Sequence, residues 1–290
     1  HKAGYPVAGF DMYVTSTVLP GSGLSSSAAC EVLIGTTGNH LFCQDKFDAV
    51  EIAKIGQKAE NEYFGKPCGL MDQTASSVGD AVAIDFKDPA NPVVRAINAD
   101  LAGLGLALCI IDCGADHAAL TNEYASIPEE MCKVAAHFGK KVLREVKEEE
   151  LLADLAQVRK EAGDRAVLRA LHFYADDRRA AEEADALERK DKEAFLNLVK
   201  ESGRSSWELL QNITPAAAIT HQDMAVALTV AEKALNGKGA CRVHGGGFAG
   251  TIQAFVPVED VCEFKKTMET MLSEGCCHVL SIRPAGGLIL

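Results

Sequence analysis

Pro20-Gly-Ser-Gly-Leu-Ser-Ser-Ser-Ala-Ala-Cys-Glu31 is the stretch whose reading decides the fold. A β-prone run from Phe10 to Leu19 precedes it, and a helical pattern through Val32, Leu33, Gly35, Thr36 and Leu41 follows. The order predicts strand, glycine turn, helix start. A helix start leaves backbone N–H groups without partners and carries the positive end of the helix dipole, so it favours an anion. Gly21 and Gly23 allow close backbone approach, and Ser25, Ser26 and Ser27 supply hydroxyls for capping, for phosphate oxygen or for a metal. A plain serine cap is the simpler reading of such a string. No Gly-Lys-Ser/Thr follows, so this is not a Walker loop.

Outside that stretch, composition narrows the possibilities. The chain has 290 residues, 48% hydrophobic and 24% charged, enough for two compact domains. A net charge of −12 argues against a nucleic-acid or anionic-membrane partner, which would require broad basic surface. Any phosphate site must then be local. The ten cysteines form no Cys-x-x-Cys pair, and several sit in apolar runs such as Leu108-Cys-Ile-Ile111, a pattern of buried thiols in a reducing cytoplasm. No apolar run approaches the roughly 20 residues needed to span a bilayer.

Further along, Lys46 to Phe64 reads as a helix with a buried stripe of Ile52, Ile55, Ala59 and Tyr63. The adjoining row holds Ala53, Gly56, Glu60 and Phe64. A carboxylate at Glu60 among small and apolar side chains is costly unless neutralised, either by a structural ion pair or by Mg²⁺. Pro67 and Gly69 then mark a turn before Asp72, which in isolation reads as a helix cap sooner than as a partly desolvated base. Val78 to Phe86, Pro92 to Ile97 and Leu104 to Asp112 read as strands. Glu148 to Leu210 is helical and charged. Four glycines in Gly245-Gly-Gly-Phe-Ala-Gly250 precede a strand from Thr251 to Val256, and suit either a strand bend or a backbone wall against a ligand. A helix from Glu259 to Ser273 and strands Cys277 to Ile282 and Gly287 to Leu290 close the chain.

Three of these strings resemble one family. Pro20-Gly-x-Gly-Leu-Ser-Ser-Ser-Ala-Ala29 is similar to the central motif of the GHMP small-molecule kinases. Ala59-Glu-Asn-Glu-Tyr-Phe-Gly-Lys-Pro-Cys-Gly-Leu-Met-Asp-Gln73 resembles the galactokinase segment ending Cys-Gly-Ile-Met-Asp-Gln, with Glu60 and Asp72 at the matching separation. Gly239 to Gly250 is similar to the third motif, Arg-Met-Thr-Gly-Gly-Gly-Phe-Gly-Gly, with Val243-His244 and Ala249 departing from it. Asp112-Cys-Gly-Ala-Asp-His117 followed by Glu123-Tyr124 resembles a further galactokinase segment. Leu171 to Arg179 is similar to one ending in Glu-x-x-Arg, while Ser202-Gly203 departs from a Ser-His pair.

The resemblance implies an α+β fold, with a ribosomal-S5-like N-terminal domain over residues 1–103 and a ferredoxin-like C-terminal domain over 104–290. It implies transfer of the γ-phosphoryl group of ATP to the anomeric hydroxyl of galactose. In that reading Gly21, Ser22, Gly23, Leu24, Ser25, Ser26, Ser27 and Ala28 bind ATP, and Ser26 or Ser27 with Glu60 holds Mg²⁺. Asp72 acts on the sugar hydroxyl, Tyr124 lines the sugar pocket, and Gly245, Gly246 and Gly247 form the glycine wall. The expected partners are sugar and ATP, with neither nucleic acid nor membrane. The family's first motif, Gly-Arg-x-Asn-Leu-Ile-Gly-Glu-His-Thr-Asp-Tyr, has no counterpart before Pro20, so a further N-terminal segment is expected to complete the site. Another sugar 1-kinase, for N-acetylgalactosamine or arabinose, and a non-catalytic sugar and ATP sensor are the alternatives. The intact Ser27-Ala28 step favours catalysis.

Overall fold

Ser26 opens the first helix of the computed structural model, which describes residues 4–18, 24–65, 68–114 and 120–290. The chain divides into two units, His1–Ala99 with Ile282–Leu290, and Asp100–Ser281.

In the first unit, α1 (Ser26–Cys43), α2 (Ala49–Glu62) and α3 (Met71–Val78) pack on one another. Asp48 and Glu51 form a reciprocal capping box that starts α2. Gly79, at φ 79°, ends α3. The chain then forms an antiparallel hairpin, β1 (Ala81–Asp85) and β2 (Val93–Ile97), with Ala83 opposite Arg95. The C-terminal tail also belongs to this unit: the Asp80 amide donates to Arg283 O at 2.8 Å and the Gly287 amide to Ser77 O at 3.2 Å.

Three expectations are corrected here. No ladder forms over Phe10 to Val18, because among the described residues no strand lies beside that run, and β-prone sequence without a partner makes no sheet. Its side chains stay largely exposed, although the Phe10 ring sits 5.7 Å from that of Phe42. Gly287 to Leu290 likewise forms no strand, since its amide is spent on a helix-end carbonyl. On α2 the buried row is Ile52, Ala53, Gly56 and Glu60, whereas Ile55 and Tyr63 are 46% and 72% exposed. The row carrying the carboxylate is therefore the one that faces inward.

The second unit is built on a four-stranded antiparallel sheet in the order β4-β5-β3-β6, from β3 (Leu106–Asp112), β4 (Ala240–Val243), β5 (Thr251–Pro257) and β6 (Cys277–Leu280). Between β3 and β4 the chain runs through α4 (Thr121–His137), α5 (Glu148–Ala153), α6 (Leu155–Ala162), α7 (Asp164–Glu188), α8 (Lys192–Ser205) and α9 (Asp223–Leu235). α10 (Val261–Met271) joins β5 to β6. With α9 and α10 as the two crossover helices, this order is that of a ferredoxin-like βαββαβ sheet. Met224, Ala227, Leu228 and Ala231 of α9 and Phe264 and Met268 of α10 bury one core with Ile111, Ile252 and Ala254 of the sheet. Val134, Leu151, Val158, Val167 and Tyr174 form a second core among α4 to α7. Within the helical, charged stretch from Glu148 to Leu210, Arg169 is 0% exposed, and His172 and Ser202 are buried. Among the described residues no helix is long and apolar enough to cross a membrane.

Candidate active site

α1 starts where the serine string places it, and the Ser25 carbonyl accepts its first intrahelical bond, from Ala29 N at 3.1 Å. The amides of Ser26, Ser27 and Ala28 in the first turn have no acceptor within the helix. In that turn Ser26 is half-buried, Ser27 exposed and Ala28 buried. Ser25, the N-cap residue, has left-handed backbone angles (φ 54°, ψ 51°) and makes no cap bond with its side chain. Its Oγ–H instead donates to Asp72 Oδ2 at 2.6 Å. Gly21, Ser22 and Gly23 of the expected cradle lie outside the described residues, as does His117.

The loop before α3 sets the height of Asp72. Asn61 Oδ1 accepts from Cys68 N at 2.7 Å, and Gln57 Nε2 donates to Cys68 O at 3.2 Å, so both side chains of α2 anchor the turn. Asp72 is in the first turn of α3, exposed, and makes no cap bond; Leu70 is the N-cap residue. The cap reading of Asp72 gives way to a carboxylate held by a hydroxyl beside the mouth of α1.

Glu60 is 5% exposed and accepts from Gln73 Nε2 at 3.1 Å. The same nitrogen donates to Glu31 Oε2 at 3.0 Å and lies 3.5 Å from Cys68 Sγ. One amide, 1% exposed, therefore ties together carboxylates from α1 and α2. Gly56 leaves room for this: a Cβ there would meet Glu31 Oε2 at 3.1 Å and Gln73 Cγ at 3.4 Å. Burial, and then the hydrogen bond to Glu60, push the Cys68 thiol up to about 11. Gln73 and Glu31 stand inside the two quoted strings, but nothing in their spacing marks them as partners. The carboxylate of Glu60 and the hydroxyls of Ser26 and Ser27 are the hard oxygen donors that Mg²⁺ takes, with phosphate and water oxygens completing its shell. Among the described residues no group of three His, Cys, Asp or Glu side chains is arranged to hold a metal by itself.

In the second unit, Tyr124 and the glycine wall come together. Tyr124 Oη donates to Gly247 O at 2.8 Å, and its ring meets Phe248 edge-on at 5.5 Å. A Cβ on Gly246 would stand 2.9 Å from Tyr124 Cε1. Burial raises the Tyr124 hydroxyl above its ordinary range. Gly247 has φ +85°, and a Cβ there would be 2.1 Å from Asn212 O. Asn212 was not foreseen from sequence; it grips the turn through Nδ2 to Gly246 O at 3.1 Å and accepts from Phe248 N. Gly245 and Gly246 are exposed, Gly247 buried.

Comparison with known proteins bears on this arrangement. The family model described as the GHMP kinases N terminal domain matches residues 1–80. A curated galactokinase from Glaesserella parasuis is 33% identical over 270 residues, covering 90% of this chain and 65% of that protein. One from Streptomyces coelicolor is 32% identical over 268 residues, covering 92% and 66%. The chain thus spans about two thirds of the length of these relatives. A crystal structure of Lactococcus lactis galactokinase complexed with galactose superposes with a TM-score of 0.70 at 23% identity, covering 93% of this chain and 68% of that one. An L. major mevalonate kinase in complex with R-mevalonate gives 0.56 at 13% identity, covering 90% and 66%. Its first 80 residues match the GHMP kinases N terminal domain, most of its length is similar to galactokinases, and its fold is that of the GHMP kinases.

Proposed function

We propose that this chain carries the nucleotide cradle and the base of a galactokinase, which transfers the γ-phosphoryl group of ATP to the anomeric hydroxyl of galactose. The observation that carries the reading is the 2.6 Å hydrogen bond from Ser25 to Asp72, which sets a carboxylate beside a helix mouth with unspent amides. Phosphoryl transfer needs alignment and neutralisation of spreading negative charge more than covalent help from the protein. The first-turn amides of α1 bind the phosphates, a role the family resemblance also assigns to Gly21 to Leu24. Ser26 or Ser27 and Glu60 are the residues that would hold Mg²⁺, which would supply neutralisation of phosphate charge. Asp72 accepts the proton of the sugar hydroxyl or orients that hydroxyl for attack. Within the second unit, the galactokinase resemblance assigns Tyr124, its hydroxyl tied to Gly247, to sugar binding and Gly245 to Gly247 to a backbone wall for phosphate.

A further segment of polypeptide, bearing the arginine and sugar-binding carboxylates of the first family motif, belongs to this reading. Ten free cysteines suit a cytoplasmic setting. The test is ADP release by the full-length polypeptide with ATP, Mg²⁺ and a panel of free sugars, with the product identified by mass and ³¹P NMR. Galactose 1-phosphate as the main product supports the reading; preference for N-acetylgalactosamine or arabinose, or ATP binding without ADP release, refutes it.

A further inference from the structure

We infer that Ser25 is a positioning residue for Asp72 and not a phosphate ligand. The inference rests on the reading of Asp72 as the group that receives the sugar proton. Three observations carry it. Serine at an N-cap usually turns its hydroxyl onto the helix's own amides, yet here no side-chain cap bond exists. The hydroxyl points across to α3 and donates to Asp72 Oδ2 at 2.6 Å, the length of a charge-assisted O–H···O⁻ bond.

The backbone adds the third. Ser25 has φ 54° and ψ 51°, a region that glycine enters freely and a residue with a Cβ enters at a cost. Glycine would relieve that cost, but it has no hydroxyl to give Asp72. The arrangement leaves the first-turn amides of α1 for an anion and holds one carboxylate oxygen of Asp72 in place, with its other lone pairs left for an acceptor hydroxyl. Ser25 thereby fixes the base relative to the cradle, because it belongs to the backbone of one and the hydrogen-bond shell of the other.

The experiment is a double-mutant cycle on the full-length polypeptide, with Ser25→Ala, Ser25→Gly, Asp72→Asn and the combined variants. Single-turnover rate, affinity for a non-hydrolysable ATP analogue, and Tm are measured for each. The expected result is a rate lowered roughly tenfold or more in Ser25→Ala and Ser25→Gly, the size of one lost hydrogen bond to a charged group. Analogue affinity stays unchanged, Ser25→Gly keeps or gains Tm, and Ser25→Ala adds nothing in the Asp72→Asn background. Full rate in Ser25→Gly overturns the inference, as does weakened analogue binding with the rate kept, or an equal further loss in the Asp72→Asn background. These leave the role of Asp72 standing. Undiminished rate in Asp72→Asn itself removes that role and the inference with it.

Discussion

Replacing Gln73 by leucine removes the amide that joins α1 and α2, and its cost can be worked from the contacts. Two hydrogen bonds to carboxylates are lost, at 3.0 and 3.1 Å, each contributing about 1.5–3 kcal/mol. Against this, Gln73 Oε1 is buried with no partner, and deleting it returns about 1–3 kcal/mol. The net expectation is a loss of about 2–3 kcal/mol from the first unit. The single tryptophan, Trp207, lies in the second unit, so its fluorescence is the wrong probe. Hydrogen exchange of the α2 amides from Ile52 to Glu60 is the right one. Gln73→Glu should cost more at neutral pH, because it sets a third carboxyl among two, and the deficit should shrink as acid protonates the cluster. A change below about 0.5 kcal/mol in both variants, typical of a surface position, would refute the bridging role.

Other outcomes follow from the second unit. His137 faces Glu161 through Nδ1 at 2.7 Å and Asp154 through Nε2 at 2.8 Å, so both nitrogens donate only in the imidazolium form, and these bonds raise its pKa above 6.5. Its contribution is fully present below that ordinary value and is lost as pH rises through the raised one. The Tm advantage of wild type over His137→Gln should therefore narrow as the buffer is taken alkaline of 6.5. Gly245 and Gly247 both have positive φ, but a Cβ on Gly245 meets nothing within 4 Å, whereas one on Gly247 meets Asn212 O at 2.1 Å. Gly245→Ala should cost about 1–2 kcal/mol, the left-handed penalty alone, and Gly247→Ala clearly more, by urea unfolding of the second unit.

The family and the helix mouth were legible because they rest on local rules: glycines before serines, then a 3.6 period. The apolar runs Leu104 to Asp112 and Thr251 to Val256 announce β3 and β5, whereas the ferredoxin-like order of the sheet was implied only by the family resemblance. Other features were not legible because they are tertiary. On α2 two adjoining rows are both apolar enough to bury, and periodicity cannot choose between Ile55 and Gly56; contact with Glu31 and Gln73 does. The run at Phe10 to Val18 has strand composition, but a ladder needs a neighbour. Ser25 was grouped with its two neighbours as cradle, since three consecutive serines look alike until the backbone turns one of them left-handed. Tyr124 and the glycines were named separately, and no spacing across 123 residues announces that they touch.

The most direct test of the central claim, that the carboxylate beside the α1 mouth handles the acceptor proton, is turnover of Asp72→Asn in the full-length polypeptide with galactose and ATP. The account expects a fall of roughly two orders of magnitude or more, with affinity for an ATP analogue little changed. Turnover equal to that of wild type would contradict it.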